Sequence, residues 1–182
     1  MGCKRLNALI GHEIPGINRE EQLELARKNL GFAADQARKF GIEVLVEAVN
    51  TFENGPYLLS TTRQAVDLID SVGRDNLKLQ YDVYHMQRME GNIVYTIQHY
   101  LSYIAHVQIA DSPNRGEPGT GEINYRYVLS VLKESGYKGY IGLEYNPSAR
   151  ITETSLVWLP RSLRGGEVDL ADIRDLKLER RI

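Results

Sequence analysis

The sequence predicts an α/β fold built around a parallel β-sheet. Strand-like and helix-like segments alternate along the chain to about residue 163. Strands that are separated by single helices cannot pair as hairpins, so right-handed crossovers between parallel strands are expected. Five strands with their helices fit either an open doubly wound sheet or part of a (β/α)₈ barrel.

Short β-rich runs bounded by polar residues or glycine predict the strands. The third run alternates between apolar residues and the polar residues Lys78, Gln80 and Asp82, which is the two-residue period of a strand. In chain order, the predicted strands are Leu6–Ile10, Ile42–Val46, Leu77–Val83, Ile104–Ala110 and Tyr140–Leu143.

Apolar residues at steps of three and four predict the helices. The longest such stripe runs through Glu20–Phe40, which Gly41 is suited to end. Asn18 and Glu21 resemble a capping box at the start of this helix. The other predicted helices, two of them followed by glycine, are Thr62–Val72, Asn92–Leu101, Tyr125–Ser135 and Thr152–Leu163.

Composition indicates a soluble, cytoplasmic domain and excludes several function classes. The 182 residues are 42% hydrophobic, and 22 basic against 24 acidic side chains leave a net charge of −2, so no basic field attracts nucleic acid or anionic lipid. The single cysteine, Cys3, excludes an internal disulfide framework. No apolar run approaches the roughly 18 residues of a membrane span. We predict one domain over residues 1–164 and a charged tail over 165–182.

Polar, metal-competent residues stand at the ends of four predicted strands: Glu47, Asp82, Gln108 and Glu144. They lie 35, 26 and 36 residues apart, close to the roughly 31 residues of one βα unit in a (β/α)₈ barrel. Three carboxylates and one amide form an oxygen-only ligand set that suits Mg²⁺ or Mn²⁺ better than Zn²⁺. The alternative is that these acidic residues cap the helices that follow.

Two further residues are candidates for substrate contact. His85 lies three residues after Asp82, and Arg115 lies in a loop over residues 111–121 that contains three glycines and two prolines. An arginine in such a loop can form a bidentate contact with a substrate carboxylate. The alternatives are an ordinary loop histidine and a solvated surface charge.

Five segments carry a recognisable pattern: VLVEAVN (44–50), LQYDVYH (79–85), AHVQIAD (105–111), RGEPGTGEINY (115–125) and GYKGYIGLEYNP (136–147). In this order they resemble the hydroxypyruvate isomerase family, one of the xylose-isomerase-like (β/α)₈ barrels. The resemblance extends from about Leu6 to Leu159, and its first strand matches the fourth strand of the family. It therefore implies a partial TIM barrel of about five of eight βα units, units 4–8, without the three N-terminal units.

The resemblance also implies the roles of the site residues. The divalent-metal ligands of the family fall on Glu47, Asp82, Gln108 and Glu144, and the two proton-transfer carboxylates are Glu47 and Glu144. His85 matches a substrate-contacting histidine, and Arg115 matches approximately a substrate-contacting arginine of related ketose epimerases. The implied reaction converts hydroxypyruvate to 2-hydroxy-3-oxopropanoate through an enediolate.

Several alternatives remain open at this point. Relatives on the same scaffold isomerise 2-oxotetronate or epimerise ketoses at C3, and a truncated barrel can instead be a non-catalytic protein. The expected partner is a small 2-oxo acid, and a homo-oligomer is one way to cover the exposed edges of a partial barrel. DNA repair, as on the endonuclease IV-like version of the barrel, is disfavoured because it needs a histidine-rich zinc cluster and a basic face.

Overall fold

Five parallel strands form one sheet in which neighbours in space are also neighbours in sequence. The computed structural model describes residues 2–149 and 151–164, and the expected tail over 165–182 lies outside the described residues. The strands are β1 (Arg5–Asn7), β2 (Glu43–Glu47), β3 (Leu77–Asp82), β4 (Ile104–Ile109) and β5 (Ile141–Leu143).

The strand order is β1-β2-β3-β4-β5, and every pair is parallel. A doubly wound sheet reverses its order at a switch point, so the sequential order decides between the two predicted architectures. The sheet curls into a half-barrel, which confirms a partial barrel of the TIM type.

Helices cover the convex face of this sheet. Helices α1 (Arg19–Arg38) and α3 (Thr62–Val72) pack against β2, and α5 (Ile93–Tyr100) packs against α6 (Tyr125–Glu134). None of the helices within the described ranges has both the length and the apolar character that crossing a bilayer requires. The helices are α1 (Arg19–Arg38), α2 (Thr51–Asn54), α3 (Thr62–Val72), α4 (Val83–Met89), α5 (Ile93–Tyr100), α6 (Tyr125–Glu134) and α7 (Thr152–Ser155).

The two faces of the sheet differ in chemistry. Val46, Leu79 and Val107, which point towards the helices, are at most 1% exposed and belong to the hydrophobic core. Their sequence neighbours point to the concave face, because successive strand residues alternate. The polar face that the sequence predicts for β3 is therefore the inner face of the half-barrel, which carries Gln80 and Asp82.

The predicted helix Thr152–Leu163 is wrong. Only Thr152–Ser155 is α-helical, and a separate 3₁₀ turn covers Arg161–Leu163. Pro160 precedes that turn, and proline both lacks an N–H donor and disfavours the helical conformation in the residue before it. One continuous helix through Leu163 is therefore disfavoured at Leu159 and Pro160.

Two short helices were not predicted, and both begin at the strand ends that carry the candidate site. Asn50 caps α2 through its side chain, and Asp82 caps α4. Val83, which was assigned to the third strand, is the first residue of α4. The capping alternative is thus correct for Asp82. Capping does not exclude metal binding, because a carboxylate has two oxygens.

Two glycines in similar helices should respond to alanine with opposite signs. Gly31 lies inside α1, where a Cβ would make an ordinary 3.8 Å contact with Val72 Cγ1, so Gly31→Ala should raise the free energy of unfolding by about 0.5–1 kcal/mol. Gly73 ends α3 in the left-handed conformation at φ 64°, so Gly73→Ala should lower it by about 1 kcal/mol. Urea unfolding measures both changes, and a stabilising Gly73→Ala would contradict this account.

Candidate active site

The predicted site residues meet at one edge of the half-barrel. Glu47 ends β2 and Asp82 ends β3. Asp82 pairs with Gln108 of β4, which pairs in turn with Gly142 of β5, and Glu144 follows Gly142 by two residues on the same face. Because the strands are parallel, their carboxyl ends share the rim on which barrel active sites are built.

Three buried side chains form the centre of the site. Ligand atoms of Glu47, Asp82 and His85 all lie within 4.8 Å of one another. The three residues are 5%, 1% and 3% exposed. Two carboxylates and an imidazole at this separation can hold a metal ion or the oxygens of a small substrate.

The two oxygens of Asp82 have different surroundings. Oδ1 accepts hydrogen bonds from the backbone N–H groups of Tyr84 (2.8 Å) and His85 (3.1 Å), which starts α4. Oδ2 is buried and accepts no hydrogen bond from the residues that the structure describes. Burial raises the pKa of the Asp82 carboxyl, and the nearby Arg115 charge opposes that rise. A buried carboxylate oxygen without a donor is costly unless a proton or a cation occupies its lone pairs, and the second case makes Asp82 fit a metal ligand.

Neutral amides hold Glu47 in place. Its Oε2 accepts hydrogen bonds from Asn7 Nδ2 at 2.6 Å and from Gln80 Nε2 at 2.9 Å. The same Gln80 nitrogen donates to Gln108 Oε1, so Gln80 links two of the predicted metal ligands. Gln80 was missed as a site residue, although its place on the polar face of β3 was visible in the sequence.

Glu47 titrates far from the usual range of a carboxylic acid. Burial and the negative charge of Asp82 raise the pKa of Glu47 to about 7, against 4.5 in the ordinary case. The amide donors Asn7 and Gln80 oppose this rise but carry no charge. A carboxyl that is half ionised near neutral pH is suited to give and take protons.

Glu144 lies three strands away from Glu47 and is paired with Arg115. Arg115 Nη2 lies 3.0 Å from Glu144 Oε2, and the Glu144 side chain is 49% exposed. Burial raises the pKa of Glu144, the Arg115 charge lowers it, and the charge of Asp82 adds to the rise. The Arg115 guanidinium also lies over the Tyr84 ring, 5.4 Å from its centroid. Arg115, which the sequence predicts to contact the substrate, thus lies at the site, where it forms an ion pair with Glu144.

The loop that carries Arg115 is organised by Asp111. The Asp111 carboxylate accepts hydrogen bonds from four backbone N–H groups at 2.8–3.0 Å, those of Ser112, Gly119, Gly121 and Ile123. A Cβ at Gly121 would lie 2.0 Å from Ser112 O, so the loop closes tightly around this carboxylate. We call this arrangement the Asp111 clasp; sequence reasoning did not identify it.

Asn50 contacts the His85 ring and holds it in place. Asn50 Nδ2 lies 2.7 Å from His85 Nδ1, and both residues are buried. Burial and the nearby Arg115 charge lower the pKa of His85 to about 4. His85 is therefore a neutral ring at physiological pH, and one of its two nitrogens faces the carboxylates.

Because the pKa of Glu47 is raised, we expect that replacing Glu47 in metal-free protein increases the free energy of unfolding by an amount that depends on pH. Between pH 4.5 and about 7 the folded chain holds a proton that the unfolded chain has lost, so wild-type stability falls as the pH rises through this window. Relative to wild type, Glu47→Gln should raise the free energy of unfolding by about 3 kcal/mol at pH 8 and by almost nothing at pH 4. Urea unfolding with EDTA, with Glu21→Gln as a surface control, measures this; an equal gain at both pH values would contradict it.

The Asp111 clasp can be tested by hydrogen exchange. Asp111→Asn replaces one acceptor oxygen by an NH₂ group, which leaves backbone donors unpaired at a cost of about 1–3 kcal/mol. The amides of Gly119 and Gly121 should exchange markedly faster. Asp75→Asn, an exposed aspartate paired with Arg38, is the matched control. Unchanged exchange at both glycines would show that the clasp does not order the loop.

Comparisons with known proteins agree with the architecture. The family model described as "Xylose isomerase-like TIM barrel" matches residues 1–162. The chain is 46% identical over 159 residues to hydroxypyruvate isomerase of Escherichia coli K12, covering 87% of this chain and 61% of that protein. It is 35% identical over 161 residues to 2-oxo-tetronate isomerase of Haemophilus influenzae, covering 88% and 62%.

A solved structure gives the same result. The crystal structure of "AP endonuclease, family 2" from Brucella melitensis superposes with a TM-score of 0.81 at 40% identity, covering 86% of this chain and 60% of that one. The chain thus spans about three fifths of the relatives that it matches. The predicted resemblance is confirmed, and this chain belongs to the xylose isomerase-like TIM barrel family.

Proposed function

We propose that this chain carries the catalytic face of an isomerase that moves a carbonyl group between adjacent carbons of a short 2-oxo acid, with hydroxypyruvate as the substrate. The observation that carries the proposal is the pair Glu47 and Glu144. Both carboxyls have raised pKa values, and they flank the buried Asp82 across two strands. The similarity to hydroxypyruvate isomerase supports the choice of substrate.

The reaction needs two proton-transfer groups. Converting hydroxypyruvate to 2-hydroxy-3-oxopropanoate removes a proton from C3 and returns one to C2, with an enediolate between the two steps, while the hydroxyl proton moves from the C3 oxygen to the C2 oxygen. Glu47 and Glu144 serve as the base and the acid. Glu47 suits this task because a pKa of about 7 lets one carboxyl take up and release a proton near neutral pH.

Glu47, Asp82, Gln108 and Glu144 would hold a divalent cation, and the oxygen donor set favours Mg²⁺ or Mn²⁺. When bound, such a cation supplies Lewis-acid stabilisation of the negative charge that develops on the substrate oxygens. The buried Asp82 Oδ2 without a hydrogen-bond donor among the described residues supports a cation at this place. Gln80 orients two of these groups, since its one nitrogen donates to both Glu47 and Gln108.

His85 and Arg115 bind and orient the substrate. The Arg115 side chain is 22% exposed and held at the rim by its ion pair with Glu144. A guanidinium has five N–H donors, so Arg115 can engage Glu144 and a substrate carboxylate together. His85 is neutral and buried beside Asp82, and it contacts a substrate oxygen.

A nucleic-acid substrate fits the site less well. The Brucella protein is named an AP endonuclease, but here the rim presents the carboxylates of Glu47, Asp82 and Glu144. Phosphate binding relies on neutralising cations, and the chain has a net charge of −2. A small oxo acid carries one carboxylate, for which Arg115 alone can supply the positive charge, so it matches this site better than a chain of phosphates.

Proton exchange tests the proposal directly. In D₂O with hydroxypyruvate and added Mg²⁺ or Mn²⁺, we expect the chain to incorporate deuterium and form 2-hydroxy-3-oxopropanoate, measured by ¹H NMR. Glu47→Gln and Glu144→Gln should each slow turnover by about 10²–10⁴-fold, because each removes a proton-transfer group. Glu21→Gln on α1 is the control, and circular dichroism verifies folding.

The outcomes separate the alternatives. Undiminished turnover in either glutamine variant would refute the catalytic assignment. Faster turnover of 2-oxotetronate or of a neutral ketose would move the substrate to that class while keeping the chemistry. No exchange by the wild-type chain with either metal would favour a non-catalytic barrel.

A further inference from the structure

Asn50 is a buried amide whose orientation is determined by its neighbours. It is 0% exposed and follows β2 by three residues. Its Oδ1 accepts a hydrogen bond from Glu53 N at 3.1 Å, which starts α2. Its Nδ2 lies 3.4 Å from Glu53 Oε2, an acceptor. Exchanging the amide oxygen and nitrogen would place oxygen against a carboxylate and nitrogen against an N–H, so both contacts select one orientation.

This orientation places an obligatory donor against His85. Asn50 Nδ2 lies 2.7 Å from His85 Nδ1, and an amide NH₂ group can only donate. The ring nitrogen must therefore accept, and it carries no proton. A doubly protonated ring, or a neutral ring with its proton on Nδ1, would set two donors against each other. The contact leaves one form of the ring, with the proton on Nε2.

The protonated nitrogen faces the catalytic groups. His85 Nε2 lies 3.9 Å from Asp82 Oδ2, and His85 belongs to the cluster with Glu47 and Asp82. By position alone the ring could be a third metal ligand. An Nε2–H group has no lone pair for a metal; it offers a hydrogen bond to a substrate oxygen that gains negative charge.

We propose that Asn50 is a positioning residue that holds His85 in its Nε2–H tautomer, so that His85 presents a hydrogen-bond donor to the site and leaves metal ligation to the carboxylate and amide oxygens. The tautomer follows from the contacts of Asn50 alone. Its value for turnover rests on the proposed isomerase function.

Nitrogen NMR of the wild-type chain tests the tautomer without any assay of activity. In protein labelled with ¹⁵N-histidine, the His85 signals are identified by their absence in His85→Gln. We expect a pyridine-like Nδ1 and a proton-bearing Nε2, both before and after adding Mg²⁺ alone. A proton on Nδ1, or loss of the Nε2 proton when Mg²⁺ is added, would overturn the proposal.

An Asn50→Asp variant tests the positioning role. Aspartate keeps the acceptor for Glu53 N, but it sets an acceptor against His85 Nδ1, so the proton should move to Nδ1 or the ring should become doubly protonated. We expect kcat/KM for hydroxypyruvate to fall about 10²-fold. Asn18→Asp makes the same change at the N-cap of α1 and should alter neither the His85 spectrum nor turnover.

The results separate this inference from the proposed function. A wild-type chain with Nε2–H but no isomerase turnover would support the tautomer and refute the function. An active chain in which Asn50→Asp leaves the His85 spectrum unchanged would refute the role of Asn50 alone. If Asn50→Asp does not fold, the wild-type spectrum still decides the tautomer.

Discussion

The carboxylate of Asp82 is the constraint on which fold and site both depend. One oxygen caps α4 and so fixes where His85 enters the site. The other oxygen is left buried without a donor among the described residues. Burial raises the pKa of Glu47 and of Glu144, and the Asp82 charge adds to both rises. A single side chain therefore ends a strand, begins a helix and contributes to the electrostatics of the rim.

The inner carboxyls of the site meet mostly neutral hydrogen-bond donors. Glu47 is held by the amides of Asn7 and Gln80, which position a carboxylate without cancelling its charge. Arg115 supplies positive charge only at the outer side, against Glu144. This division leaves an anionic pocket with a cationic edge. Such a field favours a divalent cation within the pocket and a carboxylate at its edge.

Long-range features of the site could be predicted from sequence because they depend on two regular spacings, the two-residue period of a strand and the length of one βα unit. Strand alternation and the recurrence of Glu47, Asp82, Gln108 and Glu144 once per βα unit were enough to place four side chains on one rim. The two short helices escaped prediction because four and seven residues carry too little periodicity. Their starting signals were single capping residues, Asn50 and Asp82. The contacts of Gln80 and Asn50 depend on side chains meeting across strands, which no linear pattern records.

The Asp111 clasp orders the loop that carries Arg115 before a ligand binds. Eleven residues without regular structure would ordinarily lose much conformational entropy when a ligand orders them. Four backbone hydrogen bonds to the Asp111 carboxylate order the loop when the protein folds. The guanidinium of Arg115 is therefore in place before any ligand binds. Engineering of ligand preference should therefore spare Asp111, Gly119 and Gly121. Substitutions are better made at the outward-facing positions of the loop, where a changed side chain does not disturb the Asp111 clasp.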